Sequence, residues 1–158
     1  MSITLREITQ DNFFECIKLK VAESQEKYVA HNMYSLAESK VFTYLIPLAV
    51  YNDDEMVGFS LHGKDPDDGK YWIVRLMIGE RFQGKGYGKQ STLELIKQMS
   101  QYGDCDEIFL DYVKGNIGAE KLYEKIGFKP TGETDKDGNI IMSYDLKNNA
   151  NHKKISNN

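Results

Sequence analysis

Cysteine is nearly missing from this chain of 158 residues, and the two that occur, Cys16 and Cys105, stand far apart and without metal-ligand spacing. That excludes a disulfide framework and a cysteine-built zinc site, and it fits a reducing cytoplasm. Long apolar runs are missing too: no stretch approaches the ~20 consecutive apolar residues of a membrane span. The opening Met1-Ser2-Ile3-Thr4-Leu5-Arg6-Glu7 has no basic flank leading into an apolar segment, so nothing marks the chain for export. Positive charge is in deficit, with 20 Lys and Arg against 24 Asp and Glu and a formal net charge of −4. Nucleic-acid binders neutralise phosphates with a basic face, so neither nucleic acid nor membrane is an expected partner, and the balance leans towards cationic ones. Internal repeats and linker-like stretches are absent as well.

What is present reads as one folded unit. The chain is 41% hydrophobic and 28% charged, close to globular averages, and its length suits one domain that buries roughly 70% of its unfolded surface. The single domain is expected over 1–146, followed by a polar, aperiodic tail, 147–158, expected to be mobile.

The pattern of apolar residues predicts the elements. Ile3, Leu5 and Glu7-Ile8 alternate as a strand, and Thr9 or Asp11 is placed to cap a helix through Phe13, Phe14, Ile17 and Val21. Met33, Leu36, Ala37 and Val41 suggest a second helix, and Leu45 to Tyr51 with Met56 to His62 a hairpin across Asn52-Asp53-Asp54-Glu55. After the turn Asp65-Pro66-Asp67-Asp68-Gly69, Tyr71 to Ile78 is rich in β-branched and aromatic residues and reads as a fourth strand. A glycine-rich loop then feeds a helix carrying Leu93, Leu95, Ile96, Met99 and Tyr102. Ile108 to Val113 is a fifth strand, and Asn116 and Gly127 bracket a helix containing Ala119, Leu122, Tyr123 and Ile126. Phe128 to Thr134 and Ile140 to Leu146 close the chain as a hairpin across Asp137-Gly138.

The loop Gln83-Gly84-Lys85-Gly86-Tyr87-Gly88-Lys89 places three glycines at a helix start, where bare N–H groups and the helix dipole favour an anion. A plain tight turn without ligand has the same composition. The spacing from Gly79 to Gly84-Lys85 imitates a nucleotide phosphate loop, but Gly86 stands where Ser or Thr must reach Mg²⁺. Gly86-Tyr87-Gly88-Lys89-Gln90-Ser91 imitates a dinucleotide fingerprint, but it does not directly follow its strand and ends in Ser.

A third pattern accounts for more residues. Leu76-Met77-Ile78 followed by Gln83 to Gly88 resembles the acetyl-CoA signature Q/R-x-x-G-x-G/A of the GNAT superfamily, with Gln83, Gly86 and Gly88 at its defined positions. Downstream, Asn116 to Phe128 is similar to the superfamily's N-x-x-A-x-x-x-Y-x-x-x-G-F. The resemblance runs from about Ile3 to Leu146 and implies an α/β (α+β) GNAT fold. That fold has a mixed, mostly antiparallel seven-stranded sheet with about four helices, and strands four and five splay around acetyl-CoA. It further implies a cytoplasmic N-acetyltransferase with acetyl-CoA as cosubstrate, no metal, a small-molecule amine as partner, and a homodimer, since members are often dimers.

Carried over residue by residue, Leu76, Met77 and Ile78 would pair with the pantetheine arm. The N–H groups from Gln83, Gly84, Lys85, Gly86, Tyr87, Gly88 and Lys89 would take the pyrophosphate, with Asn116 and Lys125 nearby. Lys85, Lys89 and Lys125 read equally as solvated surface lysines. Tyr123 stands where relatives place the general acid that protonates the CoA thiolate; it reads otherwise as a core tyrosine, sharing a helix face with Ala119, Leu122 and Ile126. An alkylamine is only about one part in 10³ neutral at pH 7 and needs a proton acceptor. Relatives keep an acid on strand four for this, whereas Tyr71 to Ile78 contains none. Glu80, Asp111, Glu23 and Glu26 are the candidates, each also readable as a surface carboxylate. His31, His62 and His152 show no partner spacing.

Within the superfamily, Val21 to Val29, Val57-Gly58-Phe59 and Ile78 to Gly86 are similar to the bacterial spermine/spermidine acetyltransferases, which implies a polyamine acceptor. Glu15, Glu23, Glu26 and Glu38 would then meet its remote ammonium groups, unless they are helix-surface acids paired with neighbouring lysines. Acetylation of a protein or peptide amine, or of an aminoglycoside, stays open. So does a non-catalytic acyl-CoA-binding sensor.

Overall fold

Seven strands form one sheet in the computed structural model, which describes residues 1–149. In chain order the strands are β1 (Ile3–Glu7), β2 (Leu45–Asn52), β3 (Glu55–Lys64), β4 (Tyr71–Ile78), β5 (Glu107–Tyr112), β6 (Lys129–Thr134) and β7 (Ile140–Asp145). The helices are α1 (Phe13–Lys18), α2 (Asn32–Val41), α3 (Tyr87–Met99) and α4 (Ile117–Ile126), with 3-10 turns at Glu23–Gln25 and Glu80–Phe82. The seven-stranded α/β architecture with four helices expected from the sequence is the one observed.

The sheet order is β1-β2-β3-β4-β5-β7-β6. Every neighbouring pair is antiparallel except β4 and β5, which run parallel. That pair is joined only at Tyr71↔Ile108, Trp72↔Phe109 and Ile73↔Leu110, although β4 continues to Ile78 and β5 to Tyr112. The two strands therefore fork. Just at the fork, β4 carries a bulge: Ile73 faces His62 and Arg75 faces Leu61, leaving Val74 as the extra residue. A bulge bends its strand and sharpens the local twist, which turns β4 away from β5.

Each face of the sheet carries two helices. On one, Leu95, Ile96 and Met99 of α3 pack with Ile108, Leu110, Phe128 and Met142, and Tyr123 of α4 lies against this cluster. On the other, Cys16 of α1 and Leu36 of α2 pack with Ala49, Phe59, Leu61 and Met77. In β5 the alternation sends Ile108, Leu110 and Tyr112 into the α3–α4 core and leaves Asp111 on the opposite face.

Four boundaries differ from the sequence reading. The first helix stops at Lys18 rather than running through Val21, because the buried Nδ2 of Asn32 donates to the carbonyls of Cys16 (2.9 Å) and Leu19 (3.3 Å). Those acceptors are thereby taken from a continuing helix. Neither Thr9 nor Asp11 is its cap; Asn12 holds that position, and its Oδ1 accepts from the N–H of Thr9 at 2.8 Å. The helix expected to include Tyr102 ends at Met99, and the Tyr102 ring leaves it to stack on Tyr71 and to hydrogen-bond Nε2 of His62 at 2.9 Å. The tail expected to be mobile from Lys147 begins with a helical turn over 146–149, with Asp145 Oδ1 accepting from the N–H groups of Lys147 and Asn148. Residues 150–158 lie outside the described residues.

Candidate active site

The fork between β4 and β5 opens into a cleft of about 1380 Å³. On its β4 side, Leu76, Met77 and Ile78 line the cavity. They pair with Ser60, Phe59 and Gly58 of β3 along one edge, and beyond Ile73 no β5 residue occupies the other edge. An edge of that kind presents ladder N–H and C=O groups to an extended, amide-bearing chain.

At the end of β4 the buried Phe82 anchors the turn into the glycine loop. Gly84 and Gly86 adopt φ of +74° and +86°, conformations that L side chains rarely take, and α3 begins at Tyr87. Among the described residues, no hydrogen bond has the N–H of Gly84, Lys85, Gly86, Tyr87, Gly88 or Lys89 as donor. A row of unpaired donors ending on a helix N-terminus fits a pyrophosphate. Gly84, Gly86, Tyr87 and Gly88 line the cleft, whereas Lys85 and Lys89 are exposed outside it, as is Lys125. The Tyr87 hydroxyl accepts from Nδ2 of Asn52 at 3.2 Å, which ties the start of α3 to β2.

Gln83 serves as a bracket. Its Nε2 donates to the carbonyl of Ile78 (2.9 Å) and to Oε1 of Gln25 (2.8 Å), joining the end of β4 to the 3-10 turn at Glu23–Gln25. Asn116 also lines the cleft, but its Oδ1 is engaged as the α4 cap, accepting from the N–H of Ala119 at 3.3 Å.

Tyr123 projects from α4 into the cleft, half-buried, with its ring edge-on to Phe128 at 5.7 Å between centroids. Burial, and secondarily the Asp111 charge, push its phenol up to about 12. The hydroxyl thus stays protonated through the neutral range, and it has no protein hydrogen-bond partner among the described residues. Asp111 lines the same cavity from β5 and is pushed up to about 7, first by burial and then by its hydrogen bond with Asp135 and that group's charge. Asp135 sits in the β6–β7 turn. Burial opposes its ionisation, yet it is held below the ordinary carboxylate range by the N–H of Asn139 and by Asp111. Its Oδ1 accepts from the N–H groups of Asp137 (2.8 Å) and Asn139 (2.9 Å), which fixes its position.

Of the other acids singled out in the sequence, Glu26 lines the cleft beside Tyr28, while Glu23 and Glu80 are exposed and do not. Sequence reasoning missed Asp135, which reads there only as turn chemistry. It also missed the half-buried pair of Arg75 Nη1 with Glu38 Oε1, 2.9 Å apart, and Trp72, whose Nε1 donates to Asp68 Oδ2 at 3.0 Å in the cleft mouth. The bulge that aims Arg75 at α2 has no signature in the Tyr71 to Ile78 run. Among the described residues no group of three or more His, Cys, Asp or Glu is placed to hold a metal ion. No helix there is long and apolar enough to cross a membrane.

The geometry has counterparts among known proteins. The spermine/spermidine N(1)-acetyltransferase of Bacillus subtilis (strain 168) is 33% identical over 152 residues, covering 92% of this chain and 100% of that protein. A probable spermine N(1)-acetyltransferase of Bacillus subtilis subsp. natto (strain BEST195) is 32% identical over the same shares. In structure, an aminoglycoside acetyltransferase in complex with coenzyme A superposes with a TM-score of 0.78 at 20% identity, covering 92% of this chain and 96% of that one. The spermidine N-acetyltransferase of Vibrio cholerae, in complex with CoA and spermine, superposes with a TM-score of 0.73 at 15% identity over 92% and 96%. These two superpositions are likenesses of fold. Residues 4–128 match the acetyltransferase (GNAT) family, and with the curated relatives matched along their whole length, the chain belongs to that family.

Proposed function

We propose that this N-acetyltransferase transfers the acetyl group of acetyl-CoA to a primary amine of a polyamine of the spermine or spermidine type, by direct attack with Tyr123 as general acid. The observation that carries the reading is the fork: a free β4 edge runs directly into a row of unpaired loop N–H groups, and Tyr123 lines the same cleft. The edge of Leu76, Met77 and Ile78 would hold the pantetheine amides and the loop from Gly84 to Gly88 the pyrophosphate, aided by the α3 dipole. Lys85, Lys89 and Lys125, exposed outside the cleft, would act on the cofactor only as solvated charges.

Tyr123 lies well above a thiol in proton affinity, so a complete early transfer to sulfur is unfavourable. A thiol near 8.5 and a phenol near 12 differ by roughly 5 kcal/mol. The hydroxyl therefore acts first as a hydrogen-bond donor to the charge growing on sulfur, and the proton follows as the C–S bond breaks.

The acceptor enters from the α1–α2 side. That wall carries Glu26, Glu38, Asp65, Asp68, Asp111 and Asp135, with Tyr28, Tyr44 and Trp72 among them, against Arg75, Lys27 and Lys136. An acidic wall favours a polycation over a monoamine, and the curated relatives are named for the same acceptors. Steady-state rates with spermine, spermidine and a short monoamine test the reading: kcat/KM is expected to be more than ten-fold higher for the polyamines at low salt. Equal rates, or preference for a peptide amine or an aminoglycoside, would remove the polyamine claim. A homodimer and a cytoplasmic location complete the proposal, the first checked by sedimentation and the second by fractionation.

A further inference from the structure

We propose that Asp111 accepts the proton of the attacking amine and that Asp135, anchored in the β6–β7 turn, is the positioning residue that acts through it. The inference rests on the acetyltransferase reading above and assigns the base that the sequence left open.

Asp111 is the first β5 residue beyond the last β4–β5 pair, Ile73↔Leu110, so its carboxyl stands at the mouth of the fork. Strand alternation puts it on the α1–α2 face, the acceptor side, while Tyr123 approaches the same fork from the α3–α4 side. A nucleophile between them has a proton acceptor on one side and a proton donor on the other. Asp135, in the β6–β7 turn, lines the same cleft as Asp111, and the two carboxyls are near enough for each to alter the other's proton affinity. Because two N–H groups and Nδ2 of Asn139 already anchor Asp135 as an acceptor, a proton arriving at the pair settles on Asp111.

The groups facing Asp111 are few. Burial of the site and then Asp135 raise its proton affinity, Arg75 from β4 lowers it, and Asp137 from the turn raises it least. Arg75 is itself paired with Glu38 of α2, Tyr123 of α4 is neutral, and Lys136 lines the same cavity from the turn. A carboxyl of ordinary pKa, near 3.9, lies ~6.5 units below an alkylammonium. One titrating near 7 lies only ~3.4 units below, so the transfer equilibrium improves about 10³-fold.

The step balances. The bound ammonium gives one proton to Asp111, and the freed nitrogen lone pair forms the C–N bond to the acetyl carbon. The C–S bond breaks with its electron pair on sulfur, which takes the Tyr123 proton. The second nitrogen proton restores the phenol, and Asp111 returns its own to solvent.

The test is the pH profile of kcat/KM with spermine for wild type, Asp111→Asn and Asp135→Asn, joined to a ¹³C-carboxyl titration of aspartate-labelled protein without substrates. Wild type is expected to show an ionisation near pH 7 in both readouts. Asp111→Asn should abolish it and lower kcat/KM by at least ~10²-fold, within the range of a general base. Asp135→Asn should move it down by a unit or more while folding normally by circular dichroism. The proposal falls if Asp111→Asn keeps activity within three-fold of wild type, or if Asp135→Asn leaves the ionisation in place. Should Asp111→Asn not fold, the titrations of wild type and Asp135→Asn decide alone. Should wild type acetylate only a monoamine, the polyamine reading fails and the same profile is measured with that amine. With no acetylation at all, the reading of the enzyme fails while the carboxyl titration still reports on the pair.

Discussion

Arg75 of β4 and Glu38 of α2 meet at 2.9 Å inside the cleft, each side chain about one-fifth exposed. The pair cancels a positive charge on a wall that has to receive cations. A half-buried pair broken on one side leaves its partner uncompensated. Glu38→Gln is therefore expected to lower kcat/KM for spermine about ten-fold, near 1.4 kcal/mol, and to affect a short monoamine much less. Kinetics at low and high salt check it, since the loss should shrink as salt screens the freed guanidinium. An equal loss for both amines would mean that the pair only supports the fold.

Glu26 and Glu23 separate the acceptor wall from the outer surface, because the first lines the cleft and the second does not. Glu26→Gln should raise KM for spermine several-fold, and Glu23→Gln should leave it within two-fold. Identical effects of the two substitutions would assign them to general surface charge.

Tyr123→Phe retains the edge-on packing against Phe128 and removes only the hydroxyl. A general acid contributes roughly 10²–10⁴ in rate, so kcat should fall at least ten-fold with acetyl-CoA affinity unchanged. Thermal shift and steady-state rates together measure both quantities. An unaltered kcat would return Tyr123 to the core.

Saturating acetyl-CoA at ~100 times its dissociation constant should stabilise the protein by about 2.7 kcal/mol. Gly86→Val should remove that shift, since Gly86 sits at φ +86° where a β-branched residue is strained whatever the space around it. Gly86→Ala, with a smaller penalty, should bind more weakly than wild type and more tightly than the valine variant. Normal binding by Gly86→Val would place the pyrophosphate elsewhere.

His62 links stability to pH. It is fully buried, its Nε2 bonds the Tyr102 hydroxyl at 2.9 Å, and burial lowers it from 6.5 to about 4. Below pH 6.5 the unfolded chain takes a proton that the native state refuses, so stability is lost as pH falls from about 6.5 to about 4. At pH 5 the loss is roughly 2 kcal/mol relative to His62→Gln, measured by urea unfolding at pH 7 and 5. Asp111 works in the opposite direction: its raised carboxyl weakens the fold as pH rises from about 4 to about 7, so Asp111→Asn should gain stability over wild type across that window.

Periodicity and turn chemistry made most of the architecture legible. Alternation in β1, apolar and β-branched runs, and turn signals located all seven strands, and Asn116 with Gly127 marked both ends of α4. The glycine loop was legible because φ near +80° demands glycine. What escaped depended on groups distant in the chain. The early end of α1 is imposed by Asn32, the bulge at Val74 by pairing with β3, and the proximity of Asp111 to Asp135 by β7 inserting between β5 and β6. A carboxylate's surroundings are set by that topology, so no local pattern distinguished Asp111 from Glu80.

The two hydrogen bonds of Gln83 give the molecule a mechanical strut. One amide nitrogen holds both the last residue of β4, Ile78, and the segment that leads to Glu26 and Tyr28. Any displacement of the glycine loop must therefore either drag the acceptor wall with it or break a bond about 2.8 Å long. Through Gln83 the two substrate-facing halves of the cleft are geared together.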